Sequence, residues 1–328
     1  MSLLDIKGQQ RAITIIKQFI INNTVNSSFL LYGNKGVGKH LTALNIAKTL
    51  NCEDNKDKWL SDDTCISCRK IDGSKHTDVV ELKLPLSDGE KQVDTIRNII
   101  EWLNAPLFEG KHKTLIMDDA SELNLHSQNA ILKTLEEPPA WATIILITNS
   151  YTKLLPTVLS RLIKIGFNRL SVDVIKSILQ LITTLKEDEL NYVSLLSNGG
   201  IKYLSYKDAE KNAKDMINAL SNIVDTSSII QFAEKFKSQA WKARFQELMQ
   251  IMLSILLDAI IIDKNPSIIR NINFVNEVGI IAKRFDRECL IDTALSLEQA
   301  RLAYEINVNP QMIMENILFG LIGEEHDN

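Results

Sequence analysis

The stretch LLYGNKGVGKH, Leu30 to His40, spaces Gly33, Gly38 and Lys39 as a phosphate-binding loop does: glycine, four residues, glycine, lysine, then a hydroxyl. Phosphates carry dense negative charge, so their site needs inward-aimed backbone N–H groups, a lysine and a divalent cation. Glycines at 33, 36 and 38 let the main chain wrap an anion, and a following helix adds its positive N-terminal end. Asn34, Lys35 and Val37 complete the loop, and Lys39 would reach the outer phosphates. The last position holds His40 in place of Ser or Thr. Magnesium takes hard oxygen ligands there, and an imidazole is bulkier and serves it poorly. Asp118 and Asp119 close the apolar run LIMDD, where one carboxylate can hold a metal and the next residue, often Glu, can position water. Here the second residue is the shorter Asp, and both departures weaken hydrolysis more than binding. Two alternatives stay open: a bare strand–helix connection, and a fold that no longer takes a nucleotide.

These residues need a strand, a glycine turn and a helix in that order. SSFLLYG (Ser27 to Gly33) reads as a short buried strand and KHLTALNIAKTL as the helix after it. Residues 9 to 22 carry Ile13, Ile16, Phe19 and Ile20 at helical spacing. TLIMDDA (Thr114 to Ala120) and ATIILITNS (Ala142 to Ser150) read as further strands, separated by the helix SQNAILKTLEE, stopped at Pro138 and Pro139. Alternating apolar strands and helices predict an α/β domain, a parallel sheet with helices on both faces. From Arg169 onward the spacing becomes helical throughout, as in NAKDMINALSNIV and SIIQFAEKF, with Gly199-Gly200 as a break between a small helical part and a longer bundle.

Bulk properties narrow the class. A length of 328 residues suggests two or three domains, and 45% apolar with 24% charged residues is ordinary for a globular protein. The net charge of −4 removes any global attraction to nucleic acid, so DNA contact would be local or belong to a partner. The start, MSLLDIKGQQRA, has no basic-then-apolar run and reads as a mature domain. The run from Leu248 to Asp263 is interrupted by Gln250 and Asp258 and is short for a bilayer, which predicts a buried helix and no membrane. Four cysteines, three within seventeen residues, do not make a secreted disulfide framework, and a cytoplasmic location is expected. Cys289 reads as a buried small apolar residue, and Trp241, Lys242 and Arg244 as a basic aromatic surface cluster.

The segment QNAILKTLEEPPAWATIILITNSYTKLLPTVLSRLIKIGF, Gln128 to Phe167, resembles the one shared by bacterial DNA polymerase III clamp-loader subunits. LLDIKGQQRAI and GNKGVGKHLTALNIAKTL are similar to the same family's opening, CISCRKIDGSKHTDVVEL to its metal-binding insert, and INVNPQMIMENIL to the last helix of its delta-prime type. The resemblance implies an AAA+ P-loop domain over 1–168 with a cysteine insert at about 52–78, a small helical lid over 169–206, and an all-helical collar over 207–328. It implies ATP or ADP with magnesium at a degenerate site. His40 and the chain's end at Asn328 favour the delta-prime type over the hydrolysing tau/gamma type, with a pure scaffold as a further alternative.

Further roles come from the resemblance alone. Ser160-Arg161, followed by Leu162 where the family usually has Cys, falls at the arginine finger that enters a neighbour's ATP site. Such fingers are worth about 10³–10⁵ in rate. Asn149 falls at a position that senses the outermost phosphate, and Lys202 where hydrolysing members place an arginine. The family insert carries four cysteines, and Asp62 stands at the second, so zinc would have Cys52, Asp62, Cys65 and Cys68, with His76 as the other candidate. Three reduced cysteines without metal is the alternative. Implied partners are tau/gamma-type ATPases and delta, with the sliding clamp and primed DNA reached through the complex.

Overall fold

The computed structural model describes residues 2–22, 27–54, 59–85, 89–197, 199–201, 206–265, 268–305 and 309–322. Two compact units divide the chain, Met1–Ile178 with Gly199–Lys202, and Leu179–Asn198 with Tyr203–Asn328.

The first unit runs α1 (Gln10–Ile21), β1 (Ser28–Gly33), α2 (Lys39–Asn51), α3 (Ile66–Asp72), β2 (Val79–Lys83), α4 (Gly89–Asn104), β3 (Lys113–Asp118), α5 (Leu125–Glu136), β4 (Ala142–Thr148), α6 (Pro156–Leu159) and β5 (Ile163–Phe167), and α7 (Val172–Ile182) follows. All five strands are parallel, in the order β2-β3-β4-β1-β5. Side chains alternate across a strand. Leu30, Leu115, Met117, Ile144 and Leu146 therefore share one face, buried with Ile96 and Leu103 of α4 and Ile131 and Leu135 of α5. The intervening residues face the other way, where α2 packs on β1, β3 and β4 and α1 packs on β5. This is the α/β domain with a parallel sheet expected from the alternation. Strands β2 and β5, which the apolar runs alone do not mark, form the two edges.

Parallel strands end on the same side of a sheet, and that places the chemistry. Gly33 ends β1, Asp118 ends β3, and Asn149 follows β4. Main-chain bonds run from Leu30, Leu31 and Tyr32 across β4 toward β3, in the register Leu30↔Leu146 and Met117↔Leu146. Residues far apart in sequence thus converge on the loop between β1 and α2.

The second unit is helical: α8 (Glu187–Leu196), α9 (Tyr206–Ser221), α10 (Thr226–Ala233), α11 (Gln239–Ala243), α12 (Phe245–Ile261), α13 (Val275–Arg284), α14 (Arg287–Glu305) and α15 (Pro310–Ile322). α12 is buried nearly all round, from Phe245 through Met252 and Leu256 to Ala259, because α8, α9, α13 and α14 surround it. Its polar interruption is accommodated. Asp258, 1% exposed, accepts from the backbone N–H of Arg270 and Asn271 and from Asn271 Nδ2. Lys242 and Arg244 are exposed as expected, whereas Trp241 packs edge-on against Phe236 at 5.0 Å and is half-buried. Cys289 is half-buried, not buried. Phe236 is fully buried between Phe232, Trp241 and Phe245. Phe236→Ala is expected to cost this unit about 3–5 kcal/mol, read as an earlier urea midpoint with an unchanged slope. Among the described residues no helix is long and apolar enough to cross a membrane.

Candidate functional site

The glycine loop is held in the shape an anion needs. Gly38 caps α2 in the left-handed region, at φ 98°, which frees the first N–H groups of the helix to point into the loop. Gly36 sits at φ 79°, and a Cβ there would lie 2.2 Å from the Ile201 carbonyl. Ile201 N–H donates to the Gly36 carbonyl at 2.8 Å, so the short Gly199–Ile201 segment is laced onto the loop. Sequence reasoning missed this strap, and no local signal announces a contact 165 residues away in the chain.

Lys39 is mostly buried and its ammonium is engaged by the loop itself. Nζ donates to the carbonyls of Gly33 and Asn34, both at 2.7 Å, and to Asn149 Oδ1 at 3.0 Å. Burial lowers its pKa to about 8, with Asp118 and Asp119 pulling the other way. It therefore keeps its proton at neutral pH and loses it as pH rises through about 8. Asn149 Nδ2 reaches Asp119 Oδ1 at 3.4 Å, so Asn149 bridges lysine and carboxylate. Asp119 stands at φ 56°, a strained conformation for a residue with a side chain. Burial first, and the Asp118 charge second, raise its pKa.

His40 is turned elsewhere. Its Nε2 lies 2.9 Å from Glu81 Oε2 on the edge strand β2, and Ser74 Oγ donates to the other oxygen of Glu81. Glu81 is a partner that sequence reasoning did not name. The structure thus brings together Gly33, Asn34, Gly36, Gly38, Lys39, Asp119 and Asn149, while Lys202 lies outside the described residues.

Ser160 and Arg161 follow the short α6 on the surface. Arg161 Nε and Nη2 both donate to Glu136 Oε2, at 3.1 and 3.0 Å, and Nη1 donates to the Thr157 carbonyl at 2.8 Å. Glu136, the last residue of α5, is a further contact that sequence reasoning did not name.

The insert gathers four donors. Ligand atoms of Cys52, Asp62, Cys65 and Cys68 all lie within 4.8 Å of one another. Cys52 caps the C-terminal end of α2 and Cys65 the N-terminal end of α3, so helix ends aim both sulfurs. Asp62 N–H donates to Cys52 Sγ at 3.3 Å and Cys68 N–H to Cys65 Sγ at 3.4 Å. Such N–H···S bonds favour thiolates, the form that ligates metal. Backbone N–H groups of Cys65 and Thr64 hold the Asp62 carboxyl well below the usual carboxylate range. Burial pushes the Cys52 and Cys68 thiols up, so a metal would have to displace their protons. Three sulfurs and one oxygen at this spacing fit a tetrahedral zinc, whose chemistry here would be structural.

His76, the other candidate ligand, is absent from this group. It is 4% exposed, and its Nδ1 accepts from the Asp78 N–H at 3.2 Å. Buried Lys48 on α2 anchors the insert, pairing with Asp63 at 2.6 Å and Asp72 at 3.2 Å. Asp78 accepts the N–H groups of Phe108, Glu109 and Gly110, and Asn51 those of Lys111 and His112. The insert is thereby tied to both α2 and the approach to β3. The segment quoted for the insert, Cys65 to Leu82, runs past residue 78 into strand β2.

Comparison with known proteins adds ancestry to this geometry. A family model described as "DNA polymerase III, delta subunit" matches residues 8–171, half of the chain. The tau subunit of DNA polymerase III from Salmonella typhimurium is 31% identical over 172 residues, which cover 52% of this chain and 26% of that one. The gamma subunit from Buchnera aphidicola subsp. Acyrthosiphon pisum is 28% identical over 226 residues, 67% of this chain and 58% of that one. A solved gamma-subunit-related protein from Thermotoga maritima is similar at a TM-score of 0.43 and 16% identity, over 92% of this chain and 97% of that one. The chain spans about a quarter to a third of the length of the tau subunits it matches. The matched stretch runs from just before α1 through β5 and takes in the phosphate loop, the four-donor insert and Arg161, and the chain belongs to the DNA polymerase III clamp-loader family of AAA+ proteins.

Proposed function

We propose that the chain is a delta-prime-type clamp-loader subunit. It assembles with tau/gamma-type ATPases and delta, and the complex places a sliding clamp on primed DNA. Its own glycine loop is a degenerate site that holds ATP or ADP, with magnesium, without hydrolysing it, and Arg161 completes the ATP site of a neighbouring subunit. Zinc on Cys52, Asp62, Cys65 and Cys68 braces the insert.

One observation carries the reading. The residue after the loop lysine offers no hydroxyl to a metal, and its imidazole is committed to Glu81. The Lys39 ammonium is at the same time satisfied by its own loop. Meanwhile Arg161 is on the surface, where a fixed, planar donor can meet a phosphate held by another molecule.

A second reading is a hydrolysing tau/gamma-type subunit, favoured by the tau and gamma names of the relatives and by the intact Gly33, Gly38 and Lys39. Steady-state ATP turnover by the purified chain decides between them. The expected result is background turnover, unaltered by Lys39→Ala. Robust turnover that Lys39→Ala abolishes would establish the second reading instead.

A further inference from the structure

We infer that Glu136 is a positioning residue for Arg161, holding the guanidinium so that its remaining N–H groups can meet a phosphate oxyanion of a nucleoside triphosphate bound by another subunit. The inference rests on the finger reading of Arg161 and deepens it.

A guanidinium has five N–H groups along three edges. The edge formed by Nε and Nη2 is closed, because both donate to the single oxygen Oε2 of Glu136. Nη1 gives one N–H to the Thr157 carbonyl at 2.8 Å, and its other meets only Ser160 Oγ at 3.5 Å, the limit of a hydrogen bond. What is left is the second N–H of Nη2, which meets no acceptor among the described residues, and the weakly held second N–H of Nη1. Charge-assisted N–H groups of a guanidinium are strong donors to phosphate oxygens.

The clamp is built on fixed elements. Gln128 on α5, 4% exposed, accepts the Leu155 N–H at 2.8 Å and donates to the Lys153 carbonyl at 3.3 Å. The segment leading into α6 is thereby pinned to the helix that carries Glu136. Pro156 at the first turn of α6 sets its entry. Arginine has a long flexible stem, and a free side chain would sweep through many rotamers before meeting a phosphate. Tying three of the five N–H groups to the fold removes most of that freedom in advance, which is what orientation contributes to catalysis.

Stability does not account for the pair. The Arg161 and Glu136 side chains are 29% and 57% exposed, and ion pairs so open to water contribute little to folding. Among the described residues the Glu136 carboxylate hydrogen-bonds Arg161 alone, so any effect it has on turnover would pass through Arg161.

The test uses the chain reconstituted with tau/gamma-type ATPase subunits, delta, clamp and primed DNA. Glu136→Ala is expected to lower kcat for ATP about 10–100-fold with KM for ATP and thermal melting of the chain unchanged. Glu136→Gln keeps an acceptor oxygen and should recover most of the rate. The double variant with Arg161→Ala should be no slower than Arg161→Ala alone. If Glu136→Ala leaves turnover unchanged or raises it while Arg161→Ala abolishes it, the positioning role is wrong and the finger stands. If Arg161→Ala itself is silent, the finger reading falls and takes this inference with it.

Discussion

Arg161→Ala is expected to reduce DNA-stimulated ATP turnover of the reconstituted assembly by about 10³–10⁵, with the complex still forming. The magnitude follows from what the residue can do. In phosphoryl transfer the protein supplies positioning and charge, and a permanently ionised fork at the transferring group stabilises charge that the ground state lacks. Losing it leaves binding intact, so the fall should be in kcat and not in KM. The chain itself should melt normally, because the substitution removes one solvent-exposed ion pair worth about 0–1 kcal/mol. Arg161→Lys keeps the charge but not the planar fork and should recover only a small part of the rate. Size-exclusion chromatography of the variant complex beside the turnover assay checks both halves. Unchanged turnover in an intact complex would remove the proposed function and leave a scaffold.

The second large effect is expected at the insert. Chelation, or Cys68→Ser, should strip one equivalent of zinc and lower the melting temperature of the first unit. Structural zinc contributes its binding free energy directly to the folded state. Here part of the insert is independently held by Lys48 on Asp63 and Asp72 and by the amide bonds to Asp78 and Asn51. The loss should therefore be local, about 2–4 kcal/mol, or roughly 5–15 °C. Asp62→Cys would complete four thiolates and should raise zinc affinity, whereas Asp62→Ala should lower it. Metal analysis of the purified chain with scanning calorimetry before and after chelation tests this. A chain that carries no zinc and melts identically with chelator would leave three thiols and a carboxylate brought together by hydrogen bonding alone.

Both predictions touch residues that differ in how far the amino-acid sequence could be read. The glycine loop, the strand before it and the helix after it were legible because their signals are local. Gly33, Gly38 and Lys39 act within one turn of chain, and β1, β3 and β4 are central strands buried on both faces, which forces continuous apolar runs. The edge strands were not legible for the same reason in reverse. VVELK and IKIGF are half-covered, so they tolerate Glu81, Lys83 and Lys164 and lose the apolar signature. The long apolar run of α12 announced burial, and the packing of the second unit shows that its own neighbouring helices provide it.

In the insert the resemblance already put Asp62 with the three cysteines and kept His76 as the other candidate, and the fold gathers Asp62 with the sulfurs while His76 bonds Asp78. The sequence by itself determined the fold class and the glycine loop with its missing hydroxyl, since each is written in adjacent residues, whereas Arg161 was singled out only through the resemblance. Only the tertiary structure decided that His40 turns to Glu81, that Gly199–Ile201 straps the loop and that Glu136 grips Arg161. Those contacts join segments 25 to 165 residues apart, and chain spacing carries no record of which distant partner a folded surface will present.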